Sequence, residues 1–192
     1  MADSPKIIDF QTEAVGRLRR QVDALGEANA ALLNRARSHG DAQSRIHAAT
    51  LAALDAGSLE HLIHVVTQDW VDMLGVDAVA VALETSPDAV RLAPPGLQFI
   101  GPGLLGTWLD TGVSVDVRAS EAAGLPLFGP AASLIQSQAL IRLSLPPQWP
   151  RGVLALGSRA PRAFDGPGNA ELFAFLGAIC TRCLNHWLSI RA

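Results

Sequence analysis

The stretch SQALIRLSLPPQWPRGVLALGS, residues 137–158, constrains this chain more than any other. Two short apolar runs, 137–145 and 152–158, are separated only by PPQWPR. A parallel pair needs a crossover of a dozen or more residues, so two runs joined by a short Pro-rich turn are neighbouring antiparallel strands. VDAVAVALE at 76–84 is a third, buried strand, and GLQFI (96–100) and VSVDVRA (113–119) are weaker ones. A doubly wound parallel sheet would need helical segments between successive strands, and the sequence has none there. The expected class is α+β, with an antiparallel sheet and helices packed on one face.

The helices lie before and after the strands. RIHAATLAALDA (45–56) runs to Gly57, and Ser58 then caps LEHLIHVVTQDWVDML (59–74), which Gly75 stops. In that second helix Leu62, Val65, Val66, Trp70, Met73 and Leu74 form the apolar face. A final helix is expected from Ala170 to Ser189.

Ser4-Pro5 is a plausible cap for an earlier, amphipathic helix. Beyond it Val15, Leu18, Val22, Leu25, Asn29, Leu32 and Ala36 recur at spacings of three and four. That is a coiled-coil seam with Asn29 at an a-type position, a device that fixes register and strand number. It predicts a homodimer, and Asn29 suggests a parallel one. The other reading is a helix folded back on its own domain: only three heptads are present, and the e and g positions carry no complementary charge pattern. SHGDAQSR (38–45) is expected to be a hinge, dividing an N-terminal helical segment, 1–40, from a globular domain, 45–192.

A chain that is 49% hydrophobic and 17% charged is a folded one. No apolar run reaches the roughly 18 residues needed to span a bilayer, and the N-terminus lacks the h-region of a secretory signal. A cytoplasmic protein without a membrane partner is expected. Net charge is −3, and within residues 1–40 Lys6, Arg17, Arg19, Arg20, Arg35 and Arg37 are nearly balanced by Asp3, Asp9, Glu13, Asp23 and Glu27. Nucleic acid is therefore not an expected partner.

Several motifs invite chemistry. Gly101-Pro102-Gly103-Leu104-Leu105-Gly106 has G-x-G-x-x-G spacing, but only TWLDTG follows before the next turn. Dinucleotide binding needs a long helix there, within a parallel βαβ unit, and Pro102 removes a phosphate-facing N–H. Glu121 lies at a distance suited to the ribose acid, with nothing else of the unit in place. A Gly-Pro loop leading into a short helical turn is expected instead.

Cys180 and Cys183 have C-x-x-C spacing deep inside the last helix, whereas redox pairs sit at helix N-termini. They read as buried small apolar residues; adding His186 gives no fourth metal ligand. His61 and His64 share a helix face without the glutamate of H-E-x-x-H. No metal, no catalytic residue and no particular cofactor is indicated, so an enzyme is the least supported class.

Residues 58–84 and 139–188, in which Ser137, Ala139, Leu140, Gly152, Leu154, Ala155, Gly157, Ser158 and Phe164 stand in or beside a recognisable order, resemble the GAF domain. More narrowly, the chain resembles a bacterial family catalogued as domain of unknown function 484, in which a helical segment precedes a GAF-like domain. The likeness is strongest over 133–188 and diffuse over 97–130. It implies a GAF-like sheet and a non-enzymatic regulatory or sensor role. The Asn-Lys-Phe-Asp-Glu signature of cyclic-nucleotide GAF domains and the bilin-attaching cysteine have no counterpart. The resemblance further implies a small-molecule ligand lying between the sheet and residues 97–136, with Trp108, Arg118 and Phe128 as pocket candidates. The alternative is a dimeric scaffold whose pocket is filled by its own side chains and which works through a cytoplasmic protein partner.

Overall fold

A computed structural model describes residues 10–85, 95–109, 112–120 and 125–191. The Ser4-Pro5 cap and Glu121 lie outside them. Helix α1 spans Phe10–Leu54. A helical run follows, made of α2 (Leu59–His64), a π-helical segment (Val65–Asp69) and α3 (Trp70–Leu74). The strands are β1 (Ala78–Glu84), β2 (Leu97–Ile100), β3 (Val115–Ala119), β4 (Ser137–Leu143) and β5 (Gly152–Ser158). Short α4 (Leu104–Trp108) and a 3-10 segment (Pro126–Leu134) flank β3 in sequence, and α5 (Asn169–Arg191) closes the chain.

The expected hinge at 38–45 is not formed: α1 continues through it without a break. Once a helix is nucleated on both sides, propagation carries it across a residue such as Gly40, which costs only about 1 kcal/mol. The chain nevertheless divides into two compact units, Met1–Asp41 and Ala42–Ala192.

Local signals act where the sequence places them. Ser58 caps α2, its hydroxyl accepting from the His61 N–H at 3.0 Å. Gly75 ends α3 in the left-handed region, φ 68°. The apolar face of 59–74 is interrupted by the π-helical turn, where the buried Thr67 hydroxyl donates to the Ile63 carbonyl at 2.8 Å. Trp70 is fully buried beyond that turn, and its indole N–H donates to the Ala49 carbonyl of α1 at 2.9 Å.

The sheet order is β2-β1-β5-β4-β3. β4 and β5 pair antiparallel, with Ser137 opposite Ser158 and Leu143 opposite Gly152, as their Pro-rich connection requires. β3–β4 and β1–β5 are antiparallel too, but β2 joins the edge parallel to β1. The sheet is thus antiparallel with one parallel edge strand.

Strand alternation divides the side chains into two layers. Val79, Val81, Leu83, Ile141, Leu143, Leu154 and Leu156 meet α1, α2, α3 and α5 in the larger core. α5 comes so close to β4 that a Cβ on Gly177 would stand 2.3 Å from Ile141 Cγ2. The opposite layer, where Ala80, Ala82, Leu140, Val153 and Ala155 point, is covered by Leu105 and Leu109 at α4 and by Leu127, Phe128 and Ile135 at the 3-10 segment. Long helices therefore pack on one face, and a short helical cover lies on the other. No helix among the described residues is long and apolar enough to cross a membrane.

Candidate functional site

The covered face is where the glycine motif, Trp108, Arg118 and Phe128 meet the sheet. Gly103, φ 89°, turns the chain into α4, a helix of only five residues that ends at Trp108. The following strand, β3, pairs with β4 and not with β2. The Gly-Pro loop and short helical turn expected from the sequence are what forms, and the βαβ geometry of a dinucleotide site is not.

The first turn of α4 is held by a side chain that belongs to none of the sequence motifs. Glu84, at the end of β1, has a side chain only 6% exposed; it accepts from the Leu105 N–H at 3.3 Å and from Arg151 Nε at 2.7 Å. A buried carboxylate needs such partners. Its only trace in the sequence is an acidic residue ending an apolar strand.

Arg118 is tied down twice. One guanidinium nitrogen donates to the Trp108 carbonyl, and the same nitrogen lies 3.1 Å from the Asp116 carboxylate. Its Nε is buried, with no hydrogen-bond partner among the described residues. Trp108 is half-buried against the covering cluster, and Phe128 is buried within it. The Phe128 ring lies over Gly157, where a Cβ would stand 3.0 Å from Cε1. The three pocket candidates therefore share one side of the sheet. Trp108 is joined to Arg118 by a hydrogen bond, and Phe128 packs on the strand itself.

A cavity of about 170 Å³ opens on the other side of the sheet, within the unit Ala42–Ala192. Its floor is buried Ile46, Leu156, Phe164 and Phe173, and its rim includes exposed Arg45, Gly75 and Ala163. Sequence reading missed it because its walls come from α1, the α3–β1 turn, β5 and α5, which periodicity assigns to a core without saying where that core is incomplete.

Cys180 and Cys183 are free thiols buried inside α5. Burial, with Cys183 adding to it, pushes the Cys180 thiol up to about 12, and burial raises Cys183 as well. Neither is disposed to act as a thiolate nucleophile. His61 Nδ1 accepts from the Gly57 N–H at 3.3 Å, and His64 stands 3.7 Å from Asp69. Among the described residues no group of three metal-ligating side chains forms.

In the N-terminal unit, Val15, Leu18, Val22, Leu25 and Leu32 are exposed, from 46% at Val15 to 70% at Leu25. Asn29 and Ala36 are exposed with them.

A five-stranded sheet lined on one face by the longer helices and closed on the other by short helical segments is the α+β arrangement of a GAF domain. The GAF domain of an Acinetobacter phosphoenolpyruvate-protein phosphotransferase has this fold, with a TM-score of 0.51 at 13% identity over 77% of this chain and 95% of that one. The chromophore-binding domain of a bacteriophytochrome from R. palustris is a weaker likeness, with a TM-score of 0.49 and 12% identity; 77% of this chain is matched and 62% of that one. Among curated protein sequences none matches. The chain belongs to the family described as "Protein of unknown function, DUF484", which matches residues 2–189.

Proposed function

We propose that this GAF-like protein is a non-enzymatic regulatory module that dimerises through its N-terminal helix. The observation that carries the reading is the seam: five large aliphatic side chains at heptad spacing, about half or more exposed, on one helix. An apolar stripe of this length is a site for a partner surface, and the 3-4 spacing suits a second copy of the same helix.

The sensor version places a small ligand at Trp108, Arg118 and Phe128. It is supported by the buried Nε of Arg118, which has no partner among the described residues and is one donor that a ligand acceptor would satisfy. The scaffold version is supported by the cover itself: Leu105, Leu109, Leu127 and Phe128 already pack on that face, and a ligand there would have to displace them. In the scaffold version a cytoplasmic protein reads the dimer directly.

Sedimentation velocity over a hundredfold concentration range, beside native mass spectrometry of protein purified from its source, tests both parts. A dimer is expected, and Asn29→Leu should make it more stable or its size less uniform. A monomer that is unchanged by the substitution overturns the dimer reading. An extra small mass retained under native conditions selects the sensor version, and bare chains select the scaffold.

A further inference from the structure

We infer that the cavity beside Arg45 is a binding site for a small monocarboxylate with a compact hydrocarbon body. The inference stands apart from the Trp108 face and from dimerisation, since every lining residue belongs to the unit Ala42–Ala192 and the helix-covered side of the sheet.

Size sets the first limit. The space is about 170 Å³, and a cavity of roughly 150 Å³ lined by aliphatic and aromatic side chains accommodates one benzene ring. The floor here is of that kind: Ile46, Leu156, Phe164 and Phe173 are each less than a tenth exposed. Phe164 and Phe173 meet edge to face with centroids 5.6 Å apart, which holds both rings in place and fixes the wall they form.

Charge sets the second. The polar groups of the lining are mostly committed. Ser158 Oγ donates to the Asp77 carboxylate at 3.1 Å and accepts from the Ala160 N–H at 3.2 Å, and Asn169 Nδ2 donates to the Phe164 carbonyl at 3.2 Å. Arg45 differs: among the described residues its guanidinium has no hydrogen bond and no ion pair. It is nonetheless placed. Arg45 Nη1 lies 3.0 Å from where a Cβ on Gly75 would stand, so the guanidinium rests on the bare backbone of the α3–β1 turn. Gly75 thus serves two ends, a left-handed helix terminus and a seat for Arg45.

A planar fork of donors beside an apolar pocket matches a carboxylate, which it binds bidentately. One guanidinium with no second cation among the lining residues suits a single negative charge better than a phosphate dianion. The occupant's hydrocarbon part would lie on the Phe164 and Phe173 rings, with its carboxylate at the exposed rim.

The probe is benzoate, with benzyl alcohol as its uncharged counterpart, titrated into the ¹⁵N-labelled full chain and followed by amide shifts. Saturable shifts at Gly75, Phe164 and Leu172 are expected, with benzoate bound at least tenfold more tightly than benzyl alcohol. Arg45→Gln, at an exposed position that leaves the core intact, should weaken benzoate tenfold or more and leave benzyl alcohol within twofold. Ala163→Leu, at the exposed rim, should weaken both. The inference is overturned by equal affinity for the two probes, by unchanged benzoate binding in Arg45→Gln, or by the lack of saturable shifts at the cavity residues. Sedimentation of the same samples reports dimerisation separately, so either reading can fail without the other.

Discussion

Alkaline pH should destabilise this protein through one buried thiol. Cys180 is fully enclosed in α5, where burial, and to a lesser degree Cys183, moves its pKa from 9.0 to about 12. Below pH 9 the folded and unfolded chains both hold the proton, and the contribution of the thiol is complete. Above pH 9 the unfolded chain releases the proton while the folded one keeps it, so stability falls with rising pH until the folded thiol ionises near 12. At about 1.36 kcal/mol per pH unit, the loss is on the order of 1 kcal/mol by pH 10 and a few kcal/mol near pH 12. Those are large fractions of a total stability of about 5–15 kcal/mol. Cys183, also raised by burial, acts in the same direction. The chain is well suited to the measurement, because it contains no tyrosine and its only lysine is Lys6. Few other groups titrate in the window. Urea unfolding at pH 8, 9 and 10 under a non-thiol reductant should show the wild type losing on the order of 1 kcal/mol across the series. Cys180→Ala should begin less stable and decline much less. Equal slopes in the two proteins would refute the assignment to Cys180, and a flat wild-type profile would refute the argument from burial.

Two substitutions test the packing. Gly177→Ala, which in an exposed helix would gain about 1 kcal/mol, should instead destabilise by about 1–3 kcal/mol in urea unfolding, because its Cβ would meet Ile141 Cγ2 at 2.3 Å. A gain in stability would show that α5 can lift off β4 freely. Trp70→Phe removes the hydrogen bond to the Ala49 carbonyl and part of a fully buried ring, and thermal unfolding should register a loss of about 1–3 kcal/mol. An unchanged midpoint would mean that α1 does not depend on this contact.

Much of the fold is written in short-range signals, and those were legible. PPQWPR forces β4 and β5 to be antiparallel neighbours; Ser58 starts one helix and Gly75 ends another. What escaped the sequence depends on competition between segments distant in the chain. Gly40 and its polar neighbours resemble a hinge, yet helix propagation from both sides overrides their preference. The parallel edge is invisible in LQFI, because strand direction is decided by the route of the connection and not by the strand's own residues. Glu84 and Arg151 lie 67 positions apart, and nothing local in either announces the other. Phe128 and Trp108 are apolar residues in an irregular stretch, a description equally compatible with a ligand wall and with core. Arg45, the last residue of the expected hinge, carried no local mark, since its lack of a partner among the described residues is a fact of the folded chain.

The two faces of the sheet differ in what they permit to vary. On the helix-covered side bulk comes from the strands themselves, through Val, Leu and Ile. On the other side the strands contribute the small Ala80, Ala82, Ala155 and the bare Gly157 beside Leu140 and Val153, and the remaining volume is supplied by Phe128, Leu127 and Leu105 from outside the sheet. A descendant of this chain could therefore open or reshape that side by trimming one covering residue while every strand pairing stays as it is. The scaffold and the adjustable part are carried by different stretches of sequence, so drift in one is not paid for by the other.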